Sequence, residues 1–550
     1  MGQALTFPLL CAKILVSGTR APIPQNFRNR NEDQMDALAE TTSPKMIAAV
    51  DIGTNTIRCT IAESYSDGRI EILEQLARGV WFGKETFRRG GLSAQSMRVG
   101  IEILKSFRKL FTQYDVHHIR VVATASIREA PNADIFIDRI RIATGLEVEI
   151  IDPAEEVQFI VTAVQDELRN DFIAKDKNVL IVNVGGGSTL LAVLRGGTVV
   201  NSQSLNLGAI RMREQLVSGN ELPENSVSIF RHAIHELLTA AESYFSFGEV
   251  DHVLMMGSEP RFVARQLGAP SSMGNFKRVR MSRFNGLVER CLKMDTPQLC
   301  RTFGLNFQTA ETTVPAFLTY QEILQRTSVS SFQVSLSSMR HGILRAIARE
   351  VWGFENSDYQ DAVLDAARKL AEKFHVDLEH ASQTGQFAVR LFDEMKAEHG
   401  LSPRYRLLLQ VSAILQNCGR FVNNRSFHKH SFYLIGNSEI FGLRRAETEM
   451  TAFIARYSYR SAPKYSHTSF MSLSRETRVA ISKLAAILRI ADALNHGNFH
   501  DPNALEFERS GDELTVILPP DDTILLKARS LETQGKMFED IFGIRILFRT

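Results

Sequence analysis

The sequence predicts two α/β units built on one plan, followed by an all-α region. Three observations carry this. A buried-strand pattern runs into a glycine turn and then a hairpin twice, around Asp51-Ile-Gly53 and around Asn183 to Gly187. Strand and helix patterns alternate up to about Ala346. Beyond that point the strand pattern fades and helical periodicity takes over. A chain of 550 residues is too long for one core, and about three or four are expected.

In the first unit, Ile47-Ala-Ala-Val-Asp51 is a short apolar run that ends on an acid before Gly53, as a buried strand entering a tight turn does. Ile57–Glu63 and Ile70–Leu76 continue as hairpin strands. Ser96–Tyr114 is an amphipathic helix with Val99, Ile103, Phe107 and Leu110 predicted on one face. Ile119–Thr124 is a strand, Asn132–Thr144 a helix stopped by Gly145, Glu147–Ile151 a strand and Ala154–Leu168 a helix. The second unit repeats the opening with Asn178–Val184, Leu190–Leu194 and Thr198–Leu205, then a helix over Pro223–Phe245 and a strand over Val250–Met256. Asp358–Phe374, Leu378–His399, Arg404–Cys418, Ala446–Tyr457 and Arg475–Asn495 are predicted helices, with Gly400 as a stop. Alternating runs at Leu514–Leu518 and Ile544–Phe548 suggest a small terminal α/β piece. The expected divisions are an N-terminal extension over 1–45, α/β units over 46–175 and 176–345, a helical domain over 346–500 and the terminal piece over 501–550.

Composition narrows the function classes. Hydrophobic residues make up 44% and charged residues 23%, an ordinary globular balance. The formal net charge is +2, so no overall field calls for DNA or a membrane surface as partner. A polyanion would have to meet a local basic groove. Five cysteines, Cys11, Cys59, Cys291, Cys300 and Cys418, form no CxxC pair, which fits a reducing cytoplasm better than a disulfide framework. No apolar run is long enough for a transmembrane helix. The first 31 residues hold no Asp or Glu, but lack a positive region ahead of the apolar Ala4–Leu10. A disordered tail, or a true start at Met35 or Met46, is expected there rather than a signal peptide.

Glycine turns let a backbone approach an anion closely and aim several N–H groups at it. Gly53, Thr54 and Asn55 form one such turn, and Gly185, Gly186, Gly187, Ser188 and Thr189 the other. Placed at the same point of duplicated units, they would face each other across a cleft suited to phosphate. Asp51, at a strand end, can hold Mg²⁺ through water. Neither the G-x-G-x-x-G dinucleotide fingerprint nor the P-loop motif is present. Glu155 and Glu156 stand in the first turn of a predicted helix, where acids also serve simply to favour the helix N-terminus.

Five segments resemble the exopolyphosphatase / guanosine pentaphosphate phosphohydrolase family. They are Ala49-Val-Asp51-Ile-Gly53-Thr-Asn55-Thr, Ala123-Thr-Ala-Ser-Ile-Arg128-Glu-Ala, Ile150-Ile-Asp-Pro-Ala-Glu155-Glu156, Gly185-Gly-Gly-Ser-Thr189 and Leu207-Gly208-Ala-Ile-Arg211, in order from Met46 to Arg211. The resemblance implies an actin-like (RNase H-like) duplicated core, and terminal phosphate hydrolysis from inorganic polyphosphate or the nucleotide pppGpp with Mg²⁺. It assigns Glu156 as the base that activates water and as a metal ligand beside Asp51. It assigns Arg128 as a phosphate clamp and Arg211 as a further phosphate contact. A homodimer is implied by the resemblance alone.

The sequence departs from the family at several points. Asn183 stands where the family has an aspartate before the second glycine turn, which keeps an oxygen but loses a charge. Met256-Gly257-Ser258-Glu259-Pro260 and Ser335 to Gly342 only approximate the family's turns, and both lie in the second unit. The helical region resembles an HD-like domain at His380-Ala381, Phe427 to Ser431 and Ala491 to Leu494. The His-Asp pair itself is replaced by Gln416-Asn417, a poor metal set, so a scaffold without metal is expected there. His428, Lys429, His430, Arg456 and Arg460 would line a basic path for a polyanion, or form an ordinary solvated surface. A weakened protein that binds polyphosphate or alarmone is the alternative to an enzyme, motivated by Asn183. A third reading, an actin-like ATPase or sugar kinase, is disfavoured by the few glycines over Met256–Pro260.

Overall fold

The computed structural model describes residues 43–169, 177–216, 226–242, 245–271, 276–353, 357–459, 462–495, 501–518 and 535–549. Residues 1–42 of the expected N-terminal extension, with Met35, lie outside the described residues, as does Arg460, and the extension's last residue, Lys45, already belongs to the first strand.

Fifteen strands form three sheets among the described residues. The first sheet holds β1 (Lys45–Ile52), β2 (Thr56–Ser64), β3 (Ile70–Gly79), β4 (His118–Ala123) and β5 (Val148–Ile150), in the order β3-β2-β1-β4-β5. The second holds β6 (Asn178–Val184), β7 (Thr189–Arg195), β8 (Thr198–Leu205), β9 (His252–Met256), β10 (Ala269–Pro270), β11 (Lys277–Arg280) and β12 (Ser331–Val334), in the order β10-β11-β12-β9-β6-β7-β8. The duplication is plain in the pairing. In each sheet the opening strand pairs antiparallel with its hairpin partner and parallel with the strand that returns after a helix: β1 with β2 and β4, β6 with β7 and β9. Ile47, Ala48, Ala49 and Val50 are all fully buried, so β1 has no solvent face. That is why it reads as a continuous apolar run and not as an alternation.

Each sheet borrows a helix from the other half of the chain. The helix Pro153–Arg169 follows the first sheet, yet Val157, Val161 and Val164 pack against Val179, Ile181 and Leu190 of the second. The helix Met339–Trp352 follows the second sheet, yet Ile343, Leu344 and Ile347 pack against Ile47, Ala49 and Val122 of the first. The two helices cross at Gly342, where a Cβ would lie 1.9 Å from the Phe159 carbonyl oxygen, so only glycine fits. The boundaries at 175 and 345 thus divide the sheets but not their cores.

The Ser96–Tyr114 helix forms over Ala94–Gln113, capped by the Ser93 hydroxyl, with its buried face centred to one side of the one expected: Phe107 is buried and Ile103 and Leu110 pack partly against the core. Met97, Ile101, Leu104, Phe107 and Phe111 are buried, while Val99 is 43% exposed. The i, i+4, i+7 stripe from Met97 carries the larger side chains and wins the core. The long helix of the second unit is observed over Ser226–Ala241.

The helical region runs from Ser357–Lys373 to Arg475–Asn495, with Gly400 in the left-handed conformation at a helix end as expected. A further helix, Phe427–Gly436, falls in the segment holding His428 and His430. The third sheet, β13 (Glu506–Ser510), β14 (Glu513–Ile517) and β15 (Arg545–Arg549), buries Leu514, Val516 and Ile546 in the same cluster as Phe387, Leu408 and Ile487. The terminal piece is therefore part of the helical domain's core. Among the described residues no helix is long and apolar enough to cross a membrane.

Candidate active site

The two glycine turns are built alike. The Gly53 N–H donates to the Thr56 carbonyl at 3.1 Å, and the Gly185 N–H donates to the Ser188 carbonyl at 2.8 Å. They meet face to face. A Cβ on Gly186 would lie 2.8 Å from the Thr54 Cβ, and one on Gly187 would lie 2.5 Å from the Ala125 Cβ. Glycine is required here for close approach between the lobes rather than for an unusual φ. The resulting cleft, about 370 Å³, is lined by Asp51, Gly53, Thr54, Asn55, Glu156, Asn183, Gly185, Gly186, Gly187 and Ser188, among others.

Glu156 lies in the first turn of the Pro153–Arg169 helix and is 6% exposed. Burial pushes its carboxyl up to about 6, against the pull of Arg128, with Asp51 and Asp152 adding to the rise. Arg128 Nη1 donates to Glu156 Oε1 at 2.7 Å and to the Ile151 carbonyl at 2.6 Å. Arg128 is not among the lining residues: it stands behind Glu156 and holds it. Asp51 is buried, with Arg58 at 3.7 Å and Arg340 at 3.9 Å. Burial raises its carboxyl above the ordinary value, and the two guanidiniums oppose that.

Thr189 and Arg211, expected at phosphate, are placed elsewhere. Thr189 Oγ1 donates to the Leu207 carbonyl and is fully buried. Arg211 Nε donates to the Gly187 carbonyl at 2.7 Å, its Nη2 pairs with Glu129, and its guanidinium lies over the Phe87 ring. Neither lines the cleft. The Leu207–Arg211 segment instead braces the second turn: the N–H groups of Ala209, Ile210 and Arg211 donate to the carbonyls of Gly185 and Gly186. The segment is a support because its donors meet carbonyls before they could meet an anion.

The Met256–Pro260 turn is sound despite its few glycines. Gly257 adopts φ +120°, a conformation reserved for glycine, and starts the helix Ser258–Leu267. Asn183 Oδ1 lies 3.3 Å from where a Gly257 Cβ would be. The Tyr320 hydroxyl donates to the Met256 carbonyl at 2.7 Å and accepts from the Val184 N–H at 3.0 Å, tying the ends of β6 and β9.

Glu259 and Arg340, from the two segments that only approximate the family's turns, also line the cleft, and residues that the sequence pattern did not single out complete it: Arg58, Arg261, Gln308, Thr309 and Thr312. Arg58 was recoverable, because the hairpin register sets it opposite Asp51. Gln308, Thr309 and Thr312 belong to the helix Phe307–Gln325, whose buried positions run almost without break from Thr312 to Leu324. A helix buried all round shows no amphipathic period.

The described residues expected on a basic path lie in the helical domain. His428, Lys429 and His430 lie on the Phe427–Gly436 helix, and Arg456 rests on the Phe432 and Tyr457 rings. None of the four is a lining residue. Where an HD pair would stand, the Gln416 amide donates to Asp492 at 2.9 Å and accepts from Ser458, while His380 lies 3.5 Å from the same carboxylate.

Mg²⁺ typically takes one or two carboxylates, with water and substrate phosphate supplying the rest. Asp51, Glu156 and the Asn183 amide oxygen in one polar cleft fit that donor set, although no group of three or more His, Cys, Asp or Glu suited to a metal occurs among the described residues.

Comparison with known proteins follows the same lines. The sequence profile of the Ppx/GppA phosphatase family matches residues 60–350, and that of Ppx/GppA phosphatase domain III matches residues 364–534. The chain is 22% identical over 461 residues to a guanosine-5'-triphosphate,3'-diphosphate pyrophosphatase of Pseudoalteromonas atlantica, covering 83% of this chain and 88% of the relative. It is 23% identical to the protein of that name from Photobacterium profundum, with the same coverage. A crystal structure of an exopolyphosphatase from Cytophaga hutchinsonii superposes with a TM-score of 0.51 at 21% identity, covering 56% of this chain and 98% of that one. With a duplicated actin-like core, paired glycine turns and two matched profiles, this chain belongs to the Ppx/GppA phosphatase family.

Proposed function

We propose that this protein hydrolyses the terminal phosphoanhydride of inorganic polyphosphate or of pppGpp, with Glu156 as general base. The observation that carries this is a buried carboxyl pushed up to about 6 in a cleft formed by two facing glycine turns. A base near that value is ionised at neutral pH yet still takes a proton readily. Water attacks the terminal phosphorus, its proton passes to Glu156, and the bond from phosphorus to the bridging oxygen breaks to release orthophosphate.

The turn amides would hold the anion, because the carbonyls of Gly185, Gly186 and Gly187 are already engaged by the Ala209–Arg211 segment. Arg58, Arg261 and Arg340 would meet phosphate oxygens further along the cleft. Mg²⁺, held by Asp51 and Asn183, would neutralise charge on the phosphates when bound. Arg128 then acts as a positioning residue: paired with Glu156 and the Ile151 carbonyl, it fixes the direction of the carboxylate. The names of the relatives favour the nucleotide substrate, and both substrates present the same terminal group.

Phosphate release from long-chain polyphosphate and from pppGpp, with and without Mg²⁺, tests this beside Glu156→Gln. Turnover should fall about 10²–10⁴-fold in the variant while binding persists. Asn183 favours a second reading, a binder with little turnover. Tight polyphosphate or pppGpp binding by the wild type with no phosphate release would establish that reading instead.

A further inference from the structure

The helical domain grips the turn that carries Glu156. Asp152 and Glu155 form a reciprocal cap at the start of the Pro153–Arg169 helix: the Glu155 N–H donates to Asp152 Oδ1 at 2.9 Å, and the Asp152 N–H donates to Glu155 Oε2 at 3.3 Å. Each carboxylate has one oxygen left, and both face the helical domain. Arg444 Nε pairs with Glu155 Oε1 at 2.8 Å, and the Arg445 N–H donates to Asp152 Oδ2 at 2.6 Å.

Arg444 is itself anchored. It caps the helix Arg445–Tyr457, and its N–H donates to Glu447 Oε2 at 2.9 Å. Arg404 forks onto both oxygens of Glu447 at 2.7 and 2.8 Å, and also donates to the Gly442 carbonyl, where the Tyr359 hydroxyl joins it. Two helix starts therefore clasp each other, one from each side of the interface. Glu156 is the next residue along, and its own N–H donates to the Asp152 carbonyl at 3.0 Å.

We infer that Arg444, from the helical domain, is a positioning residue for the reaction, holding Glu155, and through the reciprocal cap Asp152, so that Glu156 points at the attacking water. This rests on Glu156 being the base. The sequence offers Glu155 only as an acid favouring a helix start; the fold turns it into the contact through which a separate domain aims the catalytic group. Small displacements of a catalytic group reduce turnover far more than binding. The phosphate cradle lies on other turns, so substrate affinity should not follow.

The test measures kcat and KM for phosphate release from polyphosphate in Arg444→Ala, Arg444→Lys, Asp152→Asn and Glu156→Gln, with thermal unfolding of each. Arg444→Ala should lower kcat about tenfold with KM within about twofold, and Arg444→Lys should restore most of it, since one Nε contact is all a lysine must reproduce. If Arg444→Ala does not fold, Asp152→Asn, which keeps its own cap and loses the Arg445 contact, should show the same split between kcat and KM. Wild-type kcat in Arg444→Ala beside an inactive Glu156→Gln overturns the inference alone. So does a loss that the lysine leaves unrepaired, or one carried by KM. Wild-type turnover in Glu156→Gln overturns the base assignment and the inference with it.

Discussion

The turn after β1 and the turn after β6 share a backbone hydrogen bond and a place in duplicated sheets, and they differ in charge. The first is led by Asp51, buried between Arg58 and Arg340. The second is led by Asn183, which brings an oxygen and no charge, close against Gly257. Both turns keep a glycine that lets the chain fold back on itself, the close approach between lobes falls on Gly186 and Gly187 against Thr54 and Ala125, and only the first turn is led by a charged residue. Glu156 enters from the Pro153–Arg169 helix, which packs on the second sheet, and burial raises its carboxyl with Asp51 adding to the rise. The second turn is thus a neutral cradle and the first a charged one. A terminal phosphate held between them would be gripped by amides of the second turn and met by metal at the first, with the base reaching in from the helix between the sheets.

The largest expected effect comes from levelling this difference. Asp51→Asn makes both turns neutral, and Mg²⁺-dependent turnover should drop by about 10²-fold or more, the scale of losing a preorganised charge. Steady-state rates over a Mg²⁺ titration check it, and full activity at saturating Mg²⁺ would show that Asp51 contributes affinity only. Gly187→Ala attacks the feature the turns share. Its methyl would lie 2.5 Å from the Ala125 Cβ, so the lobes must part, and a loss of about 1–3 kcal/mol in urea unfolding is expected along with a higher KM.

The pH profile separates the base from its surroundings. Glu156 must be ionised to accept a proton, so kcat/KM should be level above about pH 6 and fall about tenfold per unit below it. A Glu156→Gln variant with residual activity should show no such limb. The smallest effect is expected from Asn183→Asp, which restores charge to the neutral turn. The Mg²⁺ concentration for half-maximal rate should fall a few-fold, while an unchanged titration would place the metal on the Asp51 side alone.

Local patterns carried much of the site. Asp51, Gly53 and the Gly185–Ser188 turn were legible because an apolar strand that runs into a glycine turn leaves its mark within a few residues, whereas Glu156 was singled out by the family resemblance and read locally only as an acid at a helix start. Thr189 and Arg211 share those motifs, and their local setting did not reveal that carbonyls of Leu207 and Gly187 engage them. The basic residues of the Phe427–Gly436 helix were legible as basic, but their place relative to the cleft was not, since nothing local states which way a helix faces in a helical domain. Arg261 carries no local signature, and Arg340 lies in the Ser335–Gly342 segment without any local sign that it would meet Asp51. They reach the cleft through the helix Ser258–Leu267 and the exchanged helix Met339–Trp352.

By itself the sequence determined the duplicated plan, the two turns, the helical region and the charge difference between Asp51 and Asn183, because periodicity, glycine placement and side-chain chemistry act over a few residues. The tertiary structure alone decided which charges meet: Arg128 with Glu156, Arg340 with Asp51, Arg444 with Glu155. Those pairs join residues up to 289 positions apart (155 against 444, 51 against 340), and only the exchange of helices between sheets and the docking of the helical domain bring them within reach. Ionic contact depends on distance in space, and distance in space is set by packing.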